Sequence, residues 1–208
     1  MNTQTIPIKI ETFIVITDLD TGKVLAKGSN AIHQENMSTA ISQGLARSTG
    51  FFISEMHFGN GASIVGNDGG ITYRAPNVTG ASADLHHTEY FRVIDEDDAN
   101  NPDFLLNKVT MTHSRGTLYS DTLVVATLDY ADPAADDATF NIVDNTQQSL
   151  DATTSVTGEI VFDEIGLKTR GINGPNTGNL LTHFIFHPVE KQANQRIQIA
   201  YTLRVRAG

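Results

Sequence analysis

Apolar and polar positions alternate most strictly between Arg196 and Arg206. Ile197, Ile199, Tyr201, Leu203 and Val205 fall on one side, and Arg196, Gln198, Thr202, Arg204 and Arg206 on the other. A period of two over this length predicts a half-buried β-strand. Ile6, Ile8 and Ile10, followed by Phe13 to Ile16, repeat the pattern near the N-terminus. Strand-like runs also occur at Lys23–Ala26, Ile53–Phe58, Leu85–Ile94, Leu105–His113, Thr122–Leu128, Val156–Phe162 and Leu180–Phe186. Leu123–Leu128 is apolar on both faces, which predicts a central strand. The TDLDTG segment at 17–22 reads as a turn, and Asn60-Gly61 suits a type I′ hairpin, whose two central residues take positive φ. Helical spacing occurs once. Met37, Ile41 and Leu45 fall at i, i+4 and i+8, with Asn36 or Ser38 as the cap and an end near Ser48.

These elements predict a mainly β protein: a single antiparallel, jelly-roll-like β-sandwich over residues 1–208, with one short helix and long loops. The irregular insertions fall near 59–83 and 129–155. Loops of that length are uncommon in compact domains, and two together suggest segments ordered by something outside the subunit.

Composition narrows the classes. No cysteine is present among the 208 residues, which excludes a disulfide scaffold and thiolate chemistry. No apolar run is long enough to span a membrane, and the first residues lack the apolar core of a signal peptide, so a soluble protein is expected. The net charge of −10 is concentrated in residues 84–137, where twelve acids face three bases. An acidic surface repels phosphate backbones, so no sequence-specific nucleic-acid binding is expected. A solvated acidic face and an acidic surface that meets a partner or lines a channel both remain open.

The search for chemistry returns little. His183 and His187 would share one strand face about 13 Å apart, too far to hold one ion. His86 and His87 should point opposite ways, and no zinc spacing occurs, so no metal and no cofactor is expected. Asp95 to Asp98 lacks the ligand spacing of a calcium loop and reads as a solvated turn. Neighbours on a strand face opposite ways, so Asp163 and Glu164 should not converge on one substrate. No catalytic residues are expected.

The end of the chain combines FDEIGL (Phe162–Leu167), a turn-rich insert, LLTHFIFHPVEK (Leu180–Lys191) and the alternating last strand. This arrangement resembles the endings of structural proteins from tailed-bacteriophage virions. Lys27–Ile41 and Met56–Gly61 are similar to earlier parts of such chains. The resemblance implies a non-enzymatic tail, neck or fibre-attachment component. Its partners would be copies of itself and other virion proteins, and its place the virion, assembled in the host bacterial cytoplasm. A capsid decoration protein is the alternative position. A carbohydrate- or cell-surface-binding sandwich module and a hydrolase with dispersed carboxylates are the other classes. The residues read as structural or assembly positions are Asn60, Gly61, Glu164, Gly166, Pro188, Arg196, Arg204 and Arg206. Gly166 should allow a close approach or a bulge. Glu164 should pair with an arginine of the last strand. Pro188 should end its strand, giving a hairpin of Leu180–His187 against Gln195–Arg206.

Overall fold

The computed structural model describes residues 6–47, 50–66, 68–80, 83–130, 132–133 and 158–208. Two five-stranded antiparallel sheets pack face to face. Sheet 1 contains β1 (Ile8–Asp18), β2 (Val24–Gly28), β8 (Lys108–Thr112), β9 (Tyr119–Leu128) and β12 (Ile197–Ala207), in the order β2-β1-β12-β9-β8. Sheet 2 contains β3 (Ala31–Ile32), β4 (Ile53–Gly59), β7 (Thr88–Val93), β10 (Ile160–Thr169) and β11 (Leu180–Lys191), in the order β3-β11-β10-β4-β7. The mainly β, sandwich-type expectation therefore holds. Alternation builds the core: Ile14, Ile16, Val124, Leu128, Ile199 and Tyr201 of sheet 1 meet Met56, Phe58, Phe162, Ile165, Leu167 and Phe186 of sheet 2.

Several local expectations change. The 59–83 stretch is not irregular throughout, because β5 (Ser63–Val65) and β6 (Ile71–Tyr73) form a small hairpin within it. Residues 131 and 134–157, most of the second insertion, lie outside the described residues. β11 does not pair with β12. It lies between β10 and β3, while β12 lies between β1 and β9. Residues 192–196 carry the chain across the sandwich, so the two apolar faces meet through the core instead of lying side by side. Pro188 does not end β11 either. The β10–β11 register shifts where Phe162 opposes Val189 and Glu164 opposes Ile185, so the proline sits in a bulge where no ladder donor is missed.

Helix α1 spans Gln34–Leu45 and starts earlier than the spacing predicts. His33 is the cap, its Nδ1 accepting from the Asn36 N–H at 3.2 Å. Asn36 is instead buried inside the helix and donates to the Leu180 carbonyl at 2.8 Å. Of the apolar stripe only Met37 is buried. Ile41 is 37% and Leu45 84% exposed, because the helix closes an open side of the sandwich without entering the core.

Candidate functional site

Sheet 2 is polar where a second apolar layer would be expected. Its face away from the core carries Glu55 and His57 of β4, Glu164 and Lys168 of β10, and His183 of β11, all buried. The chain between β4 and β7 folds back over this face. It is held there by side chains that accept hydrogen bonds from its backbone.

Glu164 is the centre. One carboxylate oxygen accepts from the N–H groups of Gly61 at 3.1 Å and His87 at 2.8 Å. The other accepts from the His86 N–H at 2.9 Å and from His183 Nε2 at 2.8 Å. Nδ1 of His183 accepts from the Asn77 N–H at 2.9 Å, so the ring is neutral with its proton on Nε2. Burial pushes the Glu164 carboxyl up, but the His183 hydrogen bond and the backbone N–H groups outweigh it and hold it below the ordinary range. Asp163 accepts from the Ala62 N–H at 3.1 Å and the Ser63 N–H at 2.6 Å. Burial raises its carboxyl, and the Glu164 charge adds to the rise. Strand alternation predicts opposite directions for these two acids. The register shift between Phe162 and Glu164, with its surplus residues on β11, leaves both facing the 60–63 segment.

The rest of the layer continues the fastening. Asn60 donates to Glu89 at 2.8 Å, and its carbonyl oxygen meets His87 Nδ1 at 2.8 Å. Lys168 Nζ meets Asp84 at 2.6 Å, and Glu55 accepts from the Asn176 N–H at 3.0 Å. His57 bonds Glu55 at 2.8 Å and stacks on Phe91 with centroids 5.1 Å apart. Burial lowers the His57 pKa despite the Glu55 contact, so the ring is neutral. Its Nδ1 has no hydrogen-bond partner among the described residues.

Four expected positions therefore converge: Asn60, Gly61, Glu164 and Gly166. Asn60-Gly61 is not a type I′ turn, because neither residue has positive φ. Gly61 is required for proximity instead, since a Cβ there would stand 2.7 Å from the His87 nitrogen. Gly166 keeps ladder register with His57 and His183, so it serves close approach and not a bulge: a Cβ would lie 2.6 Å from Leu180 Cδ1. Glu164 pairs with no arginine of the last strand, which lies in the other sheet.

Arg196, Arg204 and Arg206 are on the opposite side of the molecule. Arg204 makes a two-pronged contact with Asp121 at 2.8 Å for each bond and stacks over Tyr119 at 4.0 Å. Arg196 meets Asp20 at 3.0 Å and lies over the Tyr130 ring. Arg206 lies 5.9 Å from the Tyr119 centroid. The acidic segment 84–137 thus supplies the partner of Arg204 from within the same subunit, whereas Arg196 takes its partner from the turn after β1.

His86, Glu164 and His183 bring ligand-type atoms within 4.8 Å of one another. Their hydrogen bonding does not suit a cation. A carboxylate has about four lone-pair sites, and all of those on Glu164 are engaged. His183 presents a proton, not a lone pair, toward the gap. As folded, the layer fastens a loop. Sequence reasoning passed over Glu55 and Lys168 and weighed the histidines only as metal ligands. The available signal was SEMHFG at 54–59, where Glu and His alternate with Met and Phe in a strand too apolar to have a solvent face.

Comparison with known proteins finds no matching family, no matching curated protein and no matching solved structure.

Proposed function

We propose that this chain is a non-enzymatic structural component of a bacteriophage virion: a tail, neck or fibre-attachment protein that works through symmetric protein–protein assembly. The observation that carries the reading is how the buried ionisable groups are used. Asp163 is occupied by backbone N–H groups, and Glu164 and His183 by backbone N–H groups and by each other, so all three fix the shape of the loop. Sheet face and strand edge are available to other molecules. Exposed edges are surfaces that proteins ordinarily cover. The resemblance of Phe162–Leu167 and Leu180–Lys191 to virion proteins points the same way, and those segments build β10 and β11, which carry the fastening. On this reading the partners are copies of the chain and neighbouring virion proteins, and the protein resides in the particle.

The test is a phage carrying this gene. Mass spectrometry of purified particles should find the chain in a fixed stoichiometry, and its deletion should give particles with an incomplete tail or neck. Complete, infectious particles lacking the chain would refute the proposal.

A further inference from the structure

The outer face of sheet 1 is the one broad sheet face that no described segment covers. Register and alternation place its side chains in rows. Lys9, Arg206 and Tyr119 form one row, and Glu11, Arg204 and Asp121 the next. Phe13, Thr202, Leu123 and Thr110 follow, then Lys27, Val15, Ala200, Val125 and Lys108. Two features are unusual. The middle is apolar, with Phe13 half exposed. The rim is cationic: five bases stand against two acids on this face, in a chain whose net charge is −10. Lys9 and Arg206 are directly opposite, a like-charge pair that Glu11 partly offsets by bonding Lys9 at 2.7 Å, so the face keeps a cationic surplus.

The complement is elsewhere on the same molecule. Residues 95–107 connect β7 to β8 and carry five acids and no base. They also present Phe104 and Leu105, which are 60% and 66% exposed. Asp95 to Asp97 line a groove with Val109 and Thr122, on the core side of sheet 1. This loop therefore lies at the open edge of the sandwich, where it does not cover its own subunit's outer face.

We infer that a second copy of this chain docks its 95–107 loop on the outer face of sheet 1, acids toward Lys9, Arg206, Lys27 and Lys108, and Phe104 and Leu105 toward the apolar middle. Because the two patches differ, the contact is either exchanged reciprocally in a two-fold dimer or repeated head-to-tail in a ring or filament. This names the self-contact for the assembly role proposed above and rests on that reading.

Two charge-reversed variants test it by sedimentation. The face variant is Lys9→Glu with Arg206→Glu. The loop variant is Glu96→Lys with Asp97→Lys, which leaves Asp95 and Asp98 beside Arg170. Wild type should form oligomers that weaken as salt rises. Each variant alone should lose association by roughly tenfold or more, since reversal sets like charges together. An equimolar mixture should recover association, because the intact loop meets the intact face and the reversed loop meets the reversed face. That recovery also shows that both variants fold. A monomeric wild type, a variant that associates like wild type, or a mixture that stays monomeric overturns the inference. Particle mass spectrometry separates the two claims: a monomer present in virions sinks only the docking contact, and an oligomer absent from virions sinks only the virion role.

Discussion

Replacing Glu164 by glutamine changes one oxygen into an NH2 group in a place built entirely of donors. The wild-type carboxylate receives four hydrogen bonds, three from the backbone and one from His183. A glutamine carbonyl can accept two of them. The NH2 group then faces the other two donors and cannot satisfy either. His183 cannot relieve the conflict by moving its proton, because its Nδ1 already accepts from Asn77. Each buried donor left unsatisfied costs about 1–3 kcal/mol, so the variant should lose roughly 2–6 kcal/mol. For a domain of this size, about 2–4 °C of melting temperature accompanies each kcal/mol, so a fall of roughly 4–24 °C is expected. Thermal melting followed by circular dichroism measures it. Hydrogen exchange localises it, with protection lost first at the amides of Gly61, His86 and His87. A melting point within about 2 °C of wild type, with those amides still protected, would refute the idea that Glu164 fastens the loop.

The same carboxyl sets a pH dependence. Its folded pKa is depressed, so its contribution is full above the unfolded value and disappears as pH falls through the folded one; the stability gap between wild type and Glu164→Gln should narrow in acid, as read by melts taken in steps below neutrality. Lys191 behaves differently: burial holds it down to about 8, so its contribution to stability rises as pH climbs from about 8 toward the ordinary lysine range, and Lys191→Met should flatten that rise in an alkaline melting series. Leu203→Asp should abolish cooperative melting, because Leu203 is 4% exposed and an unpaired charge would enter the core; a normal melt would mean that the β12 register is wrong. Arg204→Ala should lower the melting point only slightly, and less in high salt, since its bond to Asp121 is partly solvated; a large, salt-independent drop would contradict this.

Period-two segments were readable because each buries one face. β12 and β1 follow directly from Ile197–Val205 and Ile8–Ile16, and β9 from the apolar run Leu123–Leu128. What could not be read was which strand lies beside which. The pattern of Leu180–Phe186 fits a neighbour in the same sheet as well as one across the core, and five connecting residues allow either. The helix start was misplaced because His33 caps it, and a histidine Nδ1 can do what an aspartate oxygen does only when its other nitrogen is anchored, here by the Gly80 carbonyl at 2.8 Å. The buried layer was hidden by a sound rule applied at an exception. Adjacent strand residues diverge, but the register shift between Phe162 and Glu164, where three residues of β11 stand against Asp163, lets both acids reach the same loop. The mark it leaves is a break in the period of two, since Phe162 and Ile165 are both in the core but three positions apart.

The pairing of β1 with β12 also governs how the chain reaches this fold. Ile8 lies opposite Ala207, so the middle of sheet 1 joins residues almost 200 positions apart. During synthesis β1 has only β2 as a nearby partner until the ribosome has made the residues of β12. A pairing this distant bears a large loop-closure entropy before any contact is gained, and folds dominated by such pairings form in milliseconds to seconds. Through that interval the strand edges of β1 and β9 that β12 will occupy are open to other chains. Productive folding at high expression therefore depends on how quickly β12 arrives relative to intermolecular strand pairing, and slower, cooler synthesis should favour the native sheet over aggregates.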